Sequence, residues 1–255
     1  MKMDVKIGYA GCCLTGLVRV NNEDNYSCAG EYLPLEHSDR LPFEGTAVPG
    51  RSSAFAVFDG MGGEACGEAA SYIAAKSFSR AFRHSAMRAF PPVQEPAICR
   101  HINRQIVEYA KENRAPGCGT TAVTLCFDTE DIHGFNLGDS RCYRFSRGQL
   151  SALSTDHTVT SPITRRSRLT QCLGIPEHDF LVEPALYRAD YLPGDLFLLC
   201  SDGLTGFVSP VTIESVLAAG DSLSGKLSAL TDAVFQRGAG DNVTILLFEI
   251  LAEDT

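Results

Sequence analysis

Four aspartates stand where this chain turns at the edge of an apolar run. Asp59 ends Ala54-Phe55-Ala56-Val57-Phe58 and is followed by Gly60. Asp139 follows Gly134-Phe135-Asn136-Leu137-Gly138. Asp202 follows Leu196-Phe197-Leu198-Leu199-Cys200-Ser201 and precedes Gly203, and Asp241 sits in Gly240-Asp241-Asn242, just ahead of Val243-Thr244-Ile245-Leu246-Leu247-Phe248. Such runs read as buried strands. A carboxylate at a strand end beside a glycine is aimed by a rigid scaffold, although Asp-Gly and Asp-Asn also close ordinary turns. Converging on one point, these carboxylates would suit a hard divalent cation, because Mg²⁺ and Mn²⁺ take oxygen ligands. Two carboxylates about 4 Å apart repel by roughly 4 kcal/mol at an effective dielectric near 20. Three or four together approach the whole stability of a domain, roughly 5–15 kcal/mol. A cluster of that kind persists only with bound cations or shared protons.

The elements that must position these groups follow from periodicity. Residues 6–10 and 14–20 are expected strands. Residues 29–52, broken by Pro34, Pro42, Pro49, Gly45 and Gly50, are expected to be a loop longer than ordinary connections. Residues 64–82 are Ala-rich with helical apolar spacing. Residues 95–113 form a second helix with Ile98, Ile102, Ile106, Tyr109 and Ala110 on one side. Short strands at 120–127, 131–136, 141–145 and 149–153 read as a β meander. Residues 154–180 are polar and irregular, with Arg165, Arg166 and Arg168. Strands at 181–187 and 195–200, helices at 209–219 and 222–237, and a last strand at 242–251 complete the pattern. There is no internal repeat or dividing linker, so one domain over residues 1–255 is expected, with packed sheets and helices outside.

Bulk properties narrow the function classes. At 255 residues the chain affords a sizeable core. A net charge of −9 argues against a nucleic-acid surface and against anionic membrane. No apolar run approaches the ~18 residues of a membrane span. Met1-Lys2-Met3-Asp4-Val5-Lys6 lacks the apolar core of a secretion signal, so a cytoplasmic protein is expected. The ten cysteines include no Cys-x-x-Cys pair, and Cys126, Cys142 and Cys200 lie in apolar runs. They read as small buried hydrophobes rather than a disulfide scaffold.

The order of short motifs adds a stronger signal. Arg19-Val20-Asn21-Asn22-Glu23-Asp24 comes first, then Phe58-Asp59-Gly60-Met61-Gly62-Gly63, Gly67-Glu68 and Gly119-Thr120-Thr121-Ala122. Asn136-Leu137-Gly138-Asp139-Ser140-Arg141, Asp156-His157, Cys200-Ser201-Asp202-Gly203-Leu204 and Gly240-Asp241-Asn242-Val243-Thr244 follow. In this order the sequence resembles the metal-dependent serine/threonine protein phosphatases of the type 2C (PPM) family, in their bacterial branch, over nearly its whole length. The resemblance implies an α+β fold, a four-layer α-β-β-α sandwich of two antiparallel sheets flanked by helices. It implies hydrolysis of phosphoserine and phosphothreonine on proteins by a water bridging two Mn²⁺ or Mg²⁺ ions. By the same resemblance Asp59 bridges the ions and the Gly60 carbonyl is a further ligand. Asp202 and Asp241 are ligands, and Asp139 with Asp202 holds a third ion found in many members. Glu23 and Asp24 partner metal-bound waters, and Arg19 binds phosphate. Phosphorylated proteins, a serine/threonine kinase among them, are the implied partners of a monomer.

Plainer readings stand beside these. Arg19 could be a surface ion-pair partner, Glu23-Asp24 a solvated turn and Asp139 a turn residue; His101 and His157 read as structural or exposed. A pseudophosphatase that binds a phosphoprotein without turnover, or a small-molecule phosphatase on the same fold, are the alternative functions. Three features depart from the family pattern. Met61 stands where many eukaryotic members carry a histidine, and a thioether cannot donate a proton. The flap-like segment 154–180 is short, and its arginines are expected to attract acidic or multiply phosphorylated substrates. The 29–52 loop is expected to wall the substrate cleft or dock a partner.

Overall fold

Alternation along the strands assigns each side chain to one of three apolar layers, and that assignment fixes the architecture. In the computed structural model, residues 5–50, 53–62, 66–84, 95–129, 131–161, 167–176, 178 and 181–252 are described. The chain runs β1 (Val5–Leu14), β2 (Asp24–Ser27), β3 (Arg40–Ala47), β4 (Ala54–Met61), α1 (Cys66–His84) and α2 (Glu95–Glu112). Then come β5 (Gly119–Thr120), β6 (Ala122–Phe127), β7 (Asp131–Leu137), β8 (Arg141–Ser146), β9 (Gln149–Ala152), β10 (Thr158–Thr160) and β11 (Ser167–Leu169). Finally come β12 (Ala185–Asp190), β13 (Leu196–Cys200), α3 (Asp202–Thr205), α4 (Pro210–Ala218), α5 (Leu223–Phe235) and β14 (Val243–Ala252).

Two antiparallel sheets result, one ordered β3-β1-β14-β13-β8-β9 and the other β12-β7-β6-β4-β2 with β5 attached to β4. Phe55 and Val57 of β4 face Phe197 and Leu199 of β13 and Leu246 and Phe248 of β14 in the layer between the sheets. Phe127 meets Phe197 edge-on at 5.5 Å and Phe55 packs on Phe248 at 4.6 Å, a geometry that favours aromatic pairs. The intervening residues face outward. Ala54, Ala56 and Phe58 pack under α1 and α2, while Leu198, Cys200, Ile245 and Leu247 pack under α4 and α5. Ala70, Ala74 and Ala75 give α1 a small-residue face that lets it lie close on β4. Ser209 and Ser222 accept hydrogen bonds from Thr212 N and Gly225 N, starting α4 and α5 where those serines stand. The layers are therefore α-β-β-α, as the resemblance implied.

Several expectations change. The strand expected over 14–20 does not form: β1, expected over 6–10, runs on to Leu14, and the residues after it turn. The 29–52 segment is not all loop: β3 lies within it and pairs with β1. Its Pro42 obscured the strand, yet proline is tolerated on a sheet edge, where β3 lies. The expected meander is split. β6 and β7 belong to one sheet, β8 and β9 to the other, and Gly138-Asp139-Ser140 crosses between them. Residues 154–180 contain the β10–β11 hairpin, too short for its alternation to register; Arg165 and Arg166 lie outside the described residues, while Arg168 is exposed on β11. Cys126, Cys142 and Cys200 are buried as expected, but Cys66 and Cys118 form a disulfide, which spacing alone does not reveal.

Candidate metal centre

The aspartates meet at one end of the sandwich, and each sheet supplies some of them. Antiparallel pairing of β2 with β4 sets Asp24 directly opposite Asp59. Asp202 opens α3 immediately after β13, and Asp241 lies in the turn before β14, the neighbour of β13. The ten-residue register of β1 on β14 ends at Leu14 opposite Val243, which brings the turn after β1 onto the turn before β14. There Leu17 N donates to the Ala239 carbonyl at 2.8 Å. Gly16 has φ +81°, and a Cβ on it would come within 2.3 Å of the Asp241 carbonyl oxygen. Glycine is the residue that fits both demands.

This close approach delivers Arg19 to Asp241. Its guanidinium binds both carboxylate oxygens, Nε to Oδ1 and a terminal nitrogen to Oδ2, each at 2.9 Å. Asn242 ties three segments together. Its Nδ2 donates to the carbonyls of Thr15 and Asn21 at 2.9 Å, and its Oδ1 accepts from Glu23 N at 2.9 Å. Gly60 N donates to the Glu23 carbonyl at 3.1 Å. Thr121 N and Thr120 Oγ1 both donate to the Asp59 carbonyl, at 2.8 and 2.9 Å. A Cβ at Gly60 would lie 2.2 Å from the Gly67 carbonyl, so the backbone here is seated against the start of α1.

Asp24 is fully buried, and its Oδ2 accepts from Ser201 Oγ and Thr244 Oγ1, both at 2.7 Å. Burial pushes its pKa up to about 7; the two hydroxyls pull it back, while Asp202 and Asp241 push it further. Burial, then Asp24 and Asp202, hold the Asp59 carboxyl well above the usual range, and it shares a hydrogen bond with Asp202. Asp202 is raised by burial and by Asp241. Asp139 is raised to about 6 by burial and Asp202. Glu23 is raised by burial and by Glu68, with Arg19 opposing. Carboxylates that crowd each other into holding protons are the donor set that a divalent cation displaces those protons from. Among the described residues no group of three is already drawn into ligand spacing; shared protons, hydroxyls and Arg19 neutralise the charge instead. The fit to hard cations therefore rests on the all-oxygen donor chemistry.

Asp24, Asp59, Asp139, Asp202 and Asp241, with Glu23 and Arg19, are thus neighbours, linked by these bonds and mutual charge effects. Gly138, with φ +97°, turns the chain so that Asp139 faces Asp202. His157 braces that turn, its N donating to the Gly138 carbonyl at 2.9 Å. Arg141 is taken up by Asp156, with contacts at 2.6–3.1 Å. Sequence reasoning assigned no role to Ser201, Thr244 or Asn242. Ser201 and Asn242 stand beside flagged aspartates and Thr244 closes the same quoted motif as Asp241, and that shared motif was the available signal.

Comparison with known proteins agrees with this geometry. The protein phosphatase 2C family profile matches residues 41–244. The serine/threonine phosphatase stp of Listeria welshimeri serovar 6b is 30% identical over 249 residues, covering 92% of each chain. A crystal structure of the Mycobacterium tuberculosis serine/threonine phosphatase PstP/Ppp superposes with a TM-score of 0.77 at 27% identity, covering 97% of this chain and 100% of that one. The catalytic domain of the serine/threonine phosphatase PstP in complex with two manganese ions superposes with a TM-score of 0.76 at 26% identity, covering 97% and 99%. With the sandwich, the aspartate cluster and these matches in agreement, the chain belongs to the protein phosphatase 2C family.

Proposed function

We propose that this protein hydrolyses phosphoserine and phosphothreonine on proteins, using two Mn²⁺ or Mg²⁺ ions held by Asp59, the Gly60 carbonyl, Asp202 and Asp241, with Asp139 available to a third. The observation that carries the reading is the convergence of buried carboxylates with raised proton affinity at one end of the sandwich. The two manganese ions of the PstP catalytic domain support the choice of metal. The ions would supply Lewis-acid polarisation of the phosphoryl oxygens and a water acidified for in-line attack. Arg19, half exposed at the rim, offers a planar fork to phosphate oxygens once Asp241 is engaged otherwise. Asp24, fixed by Ser201 and Thr244, and Glu23, fixed through its backbone by Asn242, orient water. Met61 cannot donate a proton, so the leaving alkoxide takes its proton from water.

Phosphoproteins, including a partner serine/threonine kinase, are the substrates of this reading, and a cytoplasmic monomer is its setting. Among the described residues no helix is long and apolar enough to cross a membrane. Leu35, Glu36 and His37 line a cavity of about 340 Å³ with Val20, Asn21 and Glu68, which supports a role for part of the 29–52 segment as a wall beside Arg19.

Phosphate release from a phosphothreonine peptide tests the proposal, with wild type beside Asp202→Asn and an EDTA control. Release that needs Mn²⁺ and collapses in the variant is expected. A folded wild type that binds Mn²⁺ yet releases nothing from phosphopeptides or phosphoproteins would sink it. Higher kcat/KM on sugar or nucleotide phosphates than on the peptide would move the substrate to small molecules.

A further inference from the structure

The catalytic reading makes no use of the Cys66–Cys118 disulfide, yet this bond lies directly behind the metal-ligand segment. The two residues are buried, with Cα atoms 5.1 Å apart, and they close a loop with a sequence separation of 52. Cys66 is the first residue of α1, and its neighbour Gly67 is the residue packed on the Gly60 backbone. Cys118 immediately precedes β5, whose Thr120 and Gly119 pair with Gly60 and Met61. Gly62 lies between the two: a Cβ there would meet Cys66 Cβ at 3.2 Å and Cys118 Cα at 3.6 Å. The disulfide thus fastens together the two segments that flank Asp59-Gly60-Met61-Gly62. Through Thr120 and Thr121 the Cys118 side also holds the Asp59 carbonyl. The bond is buried, but a cavity reaches the Cys118 residue from one side. Cys118 lines a cavity of about 660 Å³ whose wall carries Lys111, Arg114 and His178. Cationic side chains around an approach to sulfur favour an attacking anion.

We propose that Cys118 is a thiol–disulfide exchange site for a small anionic thiol, and that opening the bond weakens metal binding by releasing the Gly60 segment. The inference rests on the metal reading above and adds a redox input to it. A thiolate attacks Cys118 Sγ, forming a mixed disulfide, and the Cys66 sulfur leaves with the electron pair and is protonated. A second molecule of the thiol attacks its own kind's sulfur in the mixed disulfide, and Cys118 leaves and is protonated. Two thiols have become one small disulfide, and two electrons have passed to the protein cysteines.

The experiment uses the full chain with reduced glutathione as the anionic thiol. Protein purified without reductant is denatured, alkylated and weighed, and eight of the ten cysteines are expected to be modified. Mn²⁺ binding is then measured by calorimetry before and after equilibration with glutathione. A loss of about tenfold in affinity, with an unchanged far-UV spectrum, is expected, as for loss of groups that position metal ligands. Lys111→Glu with Arg114→Glu should slow opening by glutathione but not by uncharged dithiothreitol. Ten alkylated cysteines even after treatment with an oxidant would overturn the inference, as would equal Mn²⁺ affinity in the two redox states. No Mn²⁺ binding in either state would instead overturn the metal assignment itself. Cys118→Ser should show the same weakened Mn²⁺ binding without glutathione, and reduction of the wild type carries the test if that variant fails to fold.

Discussion

Asp24 shows how a buried acid can be held ready without a counter-charge. It accepts from two hydroxyls, Ser201 and Thr244, each at 2.7 Å, and burial still raises it to about 7. The sign of the pH effect follows from linkage. A carboxyl raised from 3.8 to about 7, or to about 6 for Asp139, keeps its proton in the native state after the unfolded chain has lost it. These groups add stability in full below their unfolded value, and the gain is lost as pH rises through the folded value. Metal-free protein in EDTA should therefore lose stability steadily between about pH 4 and pH 7, measured as the urea midpoint across that range. A flat profile would mean that these carboxyls are not protonated in the native state. Ser201→Ala and Thr244→Val each remove a donor that favours the carboxylate. Each should cost about 1–3 kcal/mol at pH 8, and each should extend the pH-dependent loss to higher pH.

At the level of elements, the turn after β1 is the most exacting piece. Gly16→Ala would place a Cβ 2.3 Å from the Asp241 carbonyl at a φ of +81°, and nothing but backbone can yield. A cost of about 1–3 kcal/mol from backbone strain is expected, with weaker Mn²⁺ binding because Arg19, Asn242 and Asp241 are set by this contact. Thermal unfolding and calorimetry on the same variant would check both, and a Tm within a degree of wild type would contradict the strain. Deleting residues 31–48 removes β3 together with the cavity wall, so the loss should appear as unfolding before any change in substrate preference. Elements were legible where their period was long: α1, α2, β13 and β14 fell where apolar spacing put them. β3 was hidden by Pro42 and Gly45. The sheet change at Gly138-Asp139-Ser140 was hidden because a crossover between sheets and a hairpin carry the same turn residues. The aspartates were legible because each stands at the edge of an apolar run, although Asp59 proves to lie within β4. Ser201, Thr244 and Asn242 were not, because a hydroxyl or amide reveals its partner only once distant segments meet.

Across the whole molecule, the site is a seam. β2, β4 and the end of β7 bring Asp24, Asp59 and Asp139 from one sheet, and the ends of β13 and β14 bring Asp202 and Asp241 from the other. The aromatic layer holds the sheets together along their length. At this end, repelling carboxylates press them apart until protons or cations intervene. Metal should then act as a fastener of the entire fold rather than of one loop. At a hundredfold excess over Kd, binding to the native state alone adds about 2.7 kcal/mol, which for a chain of this size is roughly 5–10 °C in Tm. Adding Mn²⁺ to EDTA-treated protein should raise Tm by that amount as one cooperative transition. Asp59→Asn and Asp241→Asn, one from each sheet, should each abolish the rise; metal-free Tm should hold in Asp59→Asn, which replaces an already protonated acid, and fall in Asp241→Asn, which gives up the Arg19 ion pair. If Mn²⁺ raised Tm in Asp241→Asn as much as in wild type, the ion would be held by one sheet alone, and the seam would not be the metal's seat.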